Sequence, residues 1–245
     1  MIEICFLDKS VRTYPKGATP YEIAQGISEG LARNVLSAQF NGNIVEAATP
    51  LTENGEIKLF TWNDDQGKTA FWHSSAHVLA QTILELYPQA KLTIGPAIEN
   101  GFYYDVDFGD HSITEKELKD IEKKFLDFAR QKFEFKMRSA SKQEALEFYQ
   151  KDKNPYKIEL IENLEDGTIT FCDHADFTDL CRGGHIPHTG FIKAVKLLNV
   201  AGAYWRGDEK NKQLTRIYGI SFPKQKELTA HLELLEEAKK RDHRK

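Results

Sequence analysis

The sequence predicts an α+β fold in two parts, a small sheet curled over one helix and then a larger set of helices over a mainly antiparallel sheet. Two observations lead to this prediction. Short alternating strands surround one capped helix in residues 1–62, and helical repeats mix with strand-like stretches in residues 63–224. A polar, turn-rich stretch at 62–68 separates the parts. Residues 225–245 are predicted to form a terminal linker helix.

The small part is predicted to run strand, strand, helix, hairpin, strand. Apolar residues at positions 2, 4 and 6 alternate with others in the first strand. Thr19 is placed as the N-cap of the helix, with Pro20 at its first position and Glu22 closing a capping box. Asn41-Gly42 is the strongest short-range signal for a hairpin turn. No catalytic constellation lies in this part, so we expect a binding or spacer module.

The larger part combines helices and strands. A helix is predicted from Thr69 to Tyr87, and two more start at capping boxes led by Thr114 and Ser141. An amphipathic helix is predicted over 225–241. Strand-like stretches are found at 92–98, 101–108, 133–137, 156–161, 169–172, 191–200 and 214–221. This mixture favours helices packed on a largely antiparallel sheet.

Composition excludes several classes of protein. The chain of 245 residues is 40% hydrophobic with a net charge of -4, so it can bury a core and lacks the basic excess typical of nucleic-acid binders. No apolar run approaches the length of a membrane span, and the N-terminus has no basic leader. Three cysteines are too few for a disulfide framework. We therefore expect a cytoplasmic protein with no membrane partner, whose cysteines are site residues if they have a role.

Two histidines on the first helix of the larger part are candidate site residues. His73 and His77 are four residues apart, which puts both imidazoles on one helix face. A zinc-protease motif needs Glu directly after the first histidine, but Ser74 stands there. The zinc-protease interpretation is therefore excluded.

A second pair, Cys181 and His185, flanks Arg182-Gly183-Gly184 on a predicted loop, since two glycines would weaken a helix. Together with the histidine pair it gives three imidazole nitrogens and one thiolate, a legitimate tetrahedral zinc set. The same side chains could instead hold a water molecule and a polar substrate without metal. Cys181 as a nucleophile is a third possibility, ranked last because the glycines suit an incoming ligand.

Several motifs in register resemble the editing domain of bacterial threonyl-tRNA synthetases, and residues 1–62 resemble the ubiquitin-like TGS domain, a β-grasp fold, that precedes it. The motifs are His73-x3-His77, Gly95-Pro96, Gly101-Phe102-Tyr103-Tyr104-Asp105, Tyr156-Lys157-x-Glu159-Leu160-Ile161, Asp179-Leu180-Cys181-Arg182-Gly183-x-His185 and Ala203-Tyr204-Trp205-Arg206-Gly207. The resemblance covers essentially the whole chain. Residues 241–245 resemble the segment leading into the aminoacylation core, so we expect an N-terminal fragment that lacks the synthetic site.

The resemblance implies post-transfer editing, the hydrolysis of mischarged seryl-tRNA(Thr) to serine and free tRNA(Thr). The partner is then the tRNA(Thr) 3′ end carrying serine. ATP, Mg and Zn are expected only in the absent aminoacylation core of this ligase. The full-length enzyme is expected to be a homodimer and the fragment a monomer.

The resemblance also implies roles for single residues. His73 and Lys157 are the first choices for activating water and steadying the leaving ribose hydroxyl, with Lys157 expected on a strand. The other catalytic candidates are His77, Asp179, Cys181 and His185. The substrate-binding candidates are Tyr104, Gly95, Pro96, Arg182, Ala203 and Arg206.

Two alternatives remain at this point. Alanyl-type editing domains use the equivalent His/His/Cys/His set for zinc, whereas the threonyl type works without it, and we expect no metal in this chain. The rival function is a non-catalytic RNA-binding module in which His73, His77, Cys181 and His185 form a structural zinc site.

Overall fold

The computed structural model describes residues 1–242. Residues 243–245, which end the segment that resembles the approach to an aminoacylation core, lie outside the described residues. Within residues 1–242, every helix is too short or too polar to cross a membrane.

The small part contains one sheet and the predicted helix, followed by a short second helix that was not predicted. The elements are β1 Ile2–Cys5, β2 Val11–Tyr14, α1 Pro20–Ile27, α2 Glu29–Ala32, β3 Ser37–Phe40, β4 Asn43–Glu46 and β5 Gly55–Phe60. β1 pairs in parallel with β5, and the strand order is β2-β1-β5-β3-β4. Thr19 caps α1 in a complete capping box with Glu22, and Asn41-Gly42 turns the hairpin with positive φ at both residues.

The larger part contains two sheets with antiparallel pairing and the helices that cover them, which confirms the predicted α+β class. One sheet has the order β12-β13-β8-β6, with β7 also paired to β8, and the other has the order β11-β10-β9. The elements are α3 Asp65–Leu86, β6 Lys91–Leu92, β7 Ala97–Ile98, β8 Gly101–Asp107, α4 Glu115–Arg130, β9 Lys136–Ser139, α5 Lys142–Lys151, α6 Pro155–Glu162, β10 Thr170–His174, β11 Phe177–Leu180, β12 Ala194–Tyr204, β13 Gln213–Phe222 and α7 Gln225–Asp242.

Helix α3 runs through the core and is buried on nearly every side from Ala70 to Ile83. Its polar residues are satisfied locally, because Ser74 and Ser75 donate their hydroxyls to the carbonyls of residues 70 and 71. The helix can therefore be fully buried without unpaired hydroxyls. It carries His73 and His77 into the interior of the larger part.

Two local predictions were wrong. The stretch around Lys157, predicted as a strand, is helix α6, because Asn154 caps it by accepting from the Lys157 backbone N–H and Pro155 occupies its first position. The predicted loop of the Cys-x3-His motif was extended too far toward the N-terminus in the motif that begins at Asp179, because Asp179 and Leu180 end strand β11 and the loop begins only after them. Lys157 is consequently a buried residue of a helix rather than a strand residue.

The two parts pack against each other where α3 begins. Trp62 lies in edge contact with Phe71, Trp72 and Phe222. Gly67 sits so close to the first part that an added Cβ would lie 2.0 Å from the backbone carbonyl oxygen of Thr61. This contact sets how α3 leaves the first sheet. The predicted division at residues 62–63 remains a prediction.

Gly67→Ala is expected to destabilise the protein by about 1–3 kcal/mol, because the methyl group meets backbone that has no rotamer to change. Gly26→Ala is the matched control, since Gly26 lies on α1 with only ordinary contact around an added Cβ. A helical Gly to Ala change there should stabilise by roughly 0.5–1 kcal/mol. Urea unfolding of both variants measures the difference, and equal effects would contradict the close contact at Gly67.

Candidate functional site

A cavity of about 800 Å³ opens between α3, α6, β8 and the segment after β11. Candidate catalytic residues line it, together with apolar side chains. From the predicted set, the lining includes His73, His77, Lys157, Asp179, Cys181, Tyr104, Gly95, Pro96 and Arg182. The fold thus gathers residues that lie up to 109 positions apart in the sequence.

Three imidazoles converge on one sulfur atom beside this cavity. The distances to Cys181 Sγ are 3.2 Å from His73 Nε2, 3.3 Å from His77 Nε2 and 3.5 Å from His185 Nε2. His73 is half-buried, and the other three residues are buried. The structure therefore brings together the two pairs, His-x3-His and Cys-x3-His, that the sequence singled out.

The loop that carries Cys181 and His185 is held through its backbone N–H groups. Gly183 donates to Cys181 Sγ at 3.3 Å, and Ile186 donates to the Ser74 hydroxyl at 3.0 Å. Gly184 and His185 donate to one oxygen of Glu46, at 2.8 and 3.1 Å. Four consecutive N–H groups thus have acceptors, as buried backbone requires.

A buried carboxylate, that of Asp179, lies behind the imidazole cluster. Its Oδ1 is 2.6 Å from Lys157 Nζ, and its Oδ2 accepts from the Tyr104 hydroxyl at 2.9 Å. Tyr149 donates to Oδ1 at 3.4 Å and accepts the Leu180 backbone N–H at 2.9 Å. Lys157 and Asp179 are 2% and 3% exposed, so the ion pair is desolvated and depends on these bonds.

His77 connects this carboxylate to the cluster. Its Nδ1 lies 3.5 Å from Asp179 Oδ2, and that nitrogen has no hydrogen bond of good geometry within the described part of the chain. Burial lowers the pKa of His77 well below 6.5, and the charges of His73 and His185 lower it further. His77 is therefore a neutral imidazole at pH 7.

The thiol of Cys181 is activated by its neighbours. Burial raises its pKa, but hydrogen bonds from His185 and His73 lower it more, and the resulting pKa is about 6. For His185, burial lowers the pKa, while hydrogen bonds to Cys172, Cys181 and Glu46 raise it well above 6.5. A thiolate beside an imidazolium is the expected state at neutral pH, as in other activated cysteine sites.

The donor set also fits zinc. The four donor atoms lie within 4.8 Å of one another, and four donors around one zinc ion at usual bond lengths lie about 3.5 Å apart. His185 Nδ1 contacts Glu46 Oε1 at 2.7 Å, which is the carboxylate support common behind metal-bound imidazoles. His73, His77, Cys181 and His185 would be the ligands.

The remaining predicted residues fall into two groups. Tyr104 and Gly95 pack together, since a Cβ on Gly95 would lie 2.1 Å from the Tyr104 ring, and Pro96 and Arg182 also line the cavity. Ala203 lies on β12, paired with Leu214 of β13. Arg206 donates to Glu159 at 2.6 Å, on a backbone with φ of 56°. The structure thus places Ala203 and Arg206 elsewhere, away from the cavity lining.

Two residues of the site were missed by sequence reasoning. Tyr149 looks like an ordinary apolar position of α5, and Glu46 like a polar residue at the end of a hairpin. Neither belongs to a spaced motif. Only the fold brings Tyr149 to Asp179 and Glu46 to His185, across 30 and 139 residues.

Comparison with known proteins finds two matching domain families. Residues 2–61 match the TGS domain, and residues 169–218 match the threonyl and alanyl tRNA synthetase second additional domain. Relatives named threonine–tRNA ligase match over the whole chain, at 68% identity in Flavobacterium johnsoniae, 58% in Cytophaga hutchinsonii and 54% in Parabacteroides distasonis. The chain spans 38% of the length of each of these relatives.

Asp179→Asn should destabilise the protein by about 3–5 kcal/mol, because it leaves the Lys157 ammonium buried without a counter-charge. The double variant Asp179→Asn with Lys157→Met should recover part of that loss. Glu56→Gln is the control, since it breaks the exposed Lys9–Glu56 pair and should cost at most about 1 kcal/mol. Urea unfolding measures these variants together with the single Lys157→Met variant, and purely additive effects of the two site changes would contradict a coupled pair.

Alkylation of Cys181 by iodoacetamide should rise with pH and level off above a midpoint of about 6. The sign follows from the thiolate being the reactive form, so the rate is lost as pH falls below that pKa. Measurement on chelator-treated protein, with mass spectrometry assigning the modified cysteine, gives the profile. Cys5, which lies in the first part, is labelled in the same reaction as the internal reference. A Cys181 rate that keeps rising well above pH 7 would refute the activation.

Proposed function

Since the chain belongs to the threonyl-tRNA synthetase family, as the N-terminal region with its TGS and second additional domains, we propose that it hydrolyses mischarged seryl-tRNA(Thr). The products are serine and free tRNA(Thr). The observation that supports this most directly is the cavity in which a thiolate, three imidazoles and a buried Lys–Asp pair meet. A cytoplasmic location, where charged tRNA is used, is part of the proposal.

The need for such a site follows from the chemistry of the two amino acids. Serine lacks one methyl group of threonine, and a missing methyl in a pocket is worth only about 1–3 kcal/mol. A second pocket too tight for the extra methyl admits serine and rejects threonine. The wall in which Gly95 packs directly on the Tyr104 ring has no room for an added carbon, and we propose it as part of the sieve.

His73 is the proposed general base. A neutral His73 that donates its Nε2–H to the Cys181 thiolate, 3.2 Å away, has Nδ1 as its remaining acceptor. That nitrogen can take a proton from a water molecule attacking the ester carbonyl. His73 is the half-buried member of the cluster and lines the cavity, so it is the imidazole that water can reach.

Lys157 supplies the positive charge that the reaction needs. Its ammonium is held by Asp179 at 2.6 Å and lies 3.4 Å from the Tyr104 hydroxyl, so its position is set before substrate binds. A fixed cation in a desolvated site stabilises the charge developing on the leaving ribose oxygen or the oxyanion. Asp179 orients this cation and contacts His77, and Tyr104 touches the substrate.

We propose that this hydrolysis proceeds without a resident metal, through His73 and Lys157. Zinc held by His73, His77, Cys181 and His185 would supply Lewis acidity toward the carbonyl or a bound water. In the metal-free state, His185 Nε2 faces Cys181 Sγ at 3.5 Å and can donate to the thiolate, whereas zinc binding would require that nitrogen to lose its proton.

The proposed partner is the 3′ end of the charged tRNA. Arg182 lines both the cavity and a neighbouring groove between the two parts, where it can contact a phosphate. The net charge of the chain is -4, so we expect weak binding of tRNA by these residues alone.

His73→Ala should lower deacylation of seryl-tRNA(Thr) by about 10²–10⁴-fold, the usual contribution of a general base. Lys157→Ala should also lose activity, and Lys151→Ala, on the exposed side of α5, should behave like the parent.

Threonyl-tRNA(Thr) should be hydrolysed at least about 10-fold more slowly than seryl-tRNA(Thr), since one methyl group decides entry. Release of labelled amino acid from each tRNA is the measurement.

Equal rates for the two charged tRNAs would overturn the sieve. Parent-like activity of both site variants would refute the proposed deacylase activity. It would favour the alternative function, an RNA-binding module with a structural zinc site. The near-equal distances around Cys181 Sγ favour that rival as the second candidate. One equivalent of zinc in purified protein, with activity lost on chelation, would contradict the metal-free mechanism.

A further inference from the structure

We propose that Glu46, a residue of the TGS domain, is a positioning residue for the editing site in the next domain. One carboxylate oxygen of Glu46 meets three donors of the site loop, the backbone N–H groups of Gly184 and His185 and the ring Nδ1 of His185, at 2.8, 3.1 and 2.7 Å. The catalytic part of the proposal rests on the proposed function, whereas the loop contact can be tested by itself.

The backbone of Glu46 is anchored in the first sheet. It is the last residue of β4 and pairs with Ser37 of β3, and its carbonyl accepts from the Thr49 N–H at 3.1 Å. Its side chain is 16% exposed and leaves the sheet toward the site loop. The anchored backbone and the largely buried side chain limit how far the carboxylate can move, as a positioning group requires.

The loop is shaped to receive a carboxylate. Gly183 and Gly184 have φ of +100° and +96°, and successive N–H groups in such turns form a concave site for an anion. A Cβ on Gly183 would lie 3.1 Å from the Glu46 oxygen, so glycine is what lets the carboxylate approach. The two domains are therefore complementary at this point in charge and in shape.

The contact controls the direction of the His185 ring. Its Nδ1 side is held by Glu46, and its Nε2 side faces Cys181 Sγ at 3.5 Å. An imidazole has only these two hydrogen-bonding atoms, so holding one of them aims the other. Of the four N–H groups at 183–186, the middle two depend on Glu46, while the outer two have acceptors within the second domain. Without Glu46, only the two outer N–H groups of the four keep their acceptors.

Glu46→Ala should accelerate hydrogen exchange of the Gly184 and His185 amides by about tenfold or more, because a local opening no longer breaks charged hydrogen bonds. NMR-detected exchange on the full chain measures this. Amides of β13, which lie in another sheet, should be unchanged. Glu46→Gln keeps a carbonyl acceptor and should retain most of the protection. Glu53→Ala, an exposed change in the same domain, is the control.

Deacylation of seryl-tRNA(Thr) supplies the second readout. Glu46→Ala should lower kcat by about tenfold and leave KM within about twofold, since Glu46 aims the cluster and does not hold the tRNA. Glu46→Gln should restore part of kcat. A role confined to domain packing would lower the unfolding midpoint while leaving kcat per folded molecule unchanged, and that result would overturn the proposal.

The outcomes separate the two claims. Unchanged exchange of Gly184 and His185 in folded Glu46→Ala overturns the positioning role, whatever the rates show. A parent without deacylase activity refutes the proposed function, and the exchange comparison then still decides whether Glu46 holds the loop. If Glu46→Ala does not fold, Glu46→Asp, with its shorter reach, replaces it in both measurements, and parent-like exchange and kcat in Glu46→Asp would then overturn the proposal.

Discussion

The site depends on one buried negative charge, that of Asp179. Its carboxylate sits on β11 and contacts Lys157 of α6, Tyr104 of β8, Tyr149 of α5 and His77 of α3. A charge removed from water is tolerated only when several partners surround it. Five elements from distant parts of the sequence must therefore fold together before this charge is fully paired. Because the paired charge fixes their side chains, it also fixes the geometry of the cavity.

The two domains differ in what they bring to this geometry. The second domain supplies every group that touches the cavity interior, while the first domain supplies Glu46 to the outside of the glycine loop. Packing of Trp62 against Phe71 and the close approach of Gly67 to Thr61 hold the first sheet near α3. A domain that served only as a spacer would need only these packing contacts. The Glu46 carboxylate also contacts His185, so the first domain is connected to the site loop of the second.

Much of the fold and the central cluster could be predicted from the sequence, because both depend on local signals. Capping residues and the Asn41-Gly42 turn act within a few positions, and the His-x3-His spacing on a helix puts its two imidazoles on one face. Lys157 was predicted on a strand because its apolar neighbours suit either structure, and the cap at Asn154 decided for a helix. Tyr149 and Glu46 act through contacts made only after folding, so no spacing in the chain marks them.

The four side chains His73, His77, Cys181 and His185 can hold either a hydrogen-bonded thiolate or a metal ion, because their donor atoms converge on one point. The two states differ in the number of protons that the imidazoles carry. Zinc needs neutral imidazole nitrogens and a thiolate, so each bound proton must leave before the metal enters. The partners of His185, Glu46 among them, raise its pKa well above 6.5, so its proton opposes metal entry. A carboxylate behind a metal-bound histidine would strengthen a zinc site, but behind a protonated histidine it strengthens the imidazolium. Loss of the His185 proton is therefore the step that separates the proposed metal-free site from a zinc site built of the same four side chains.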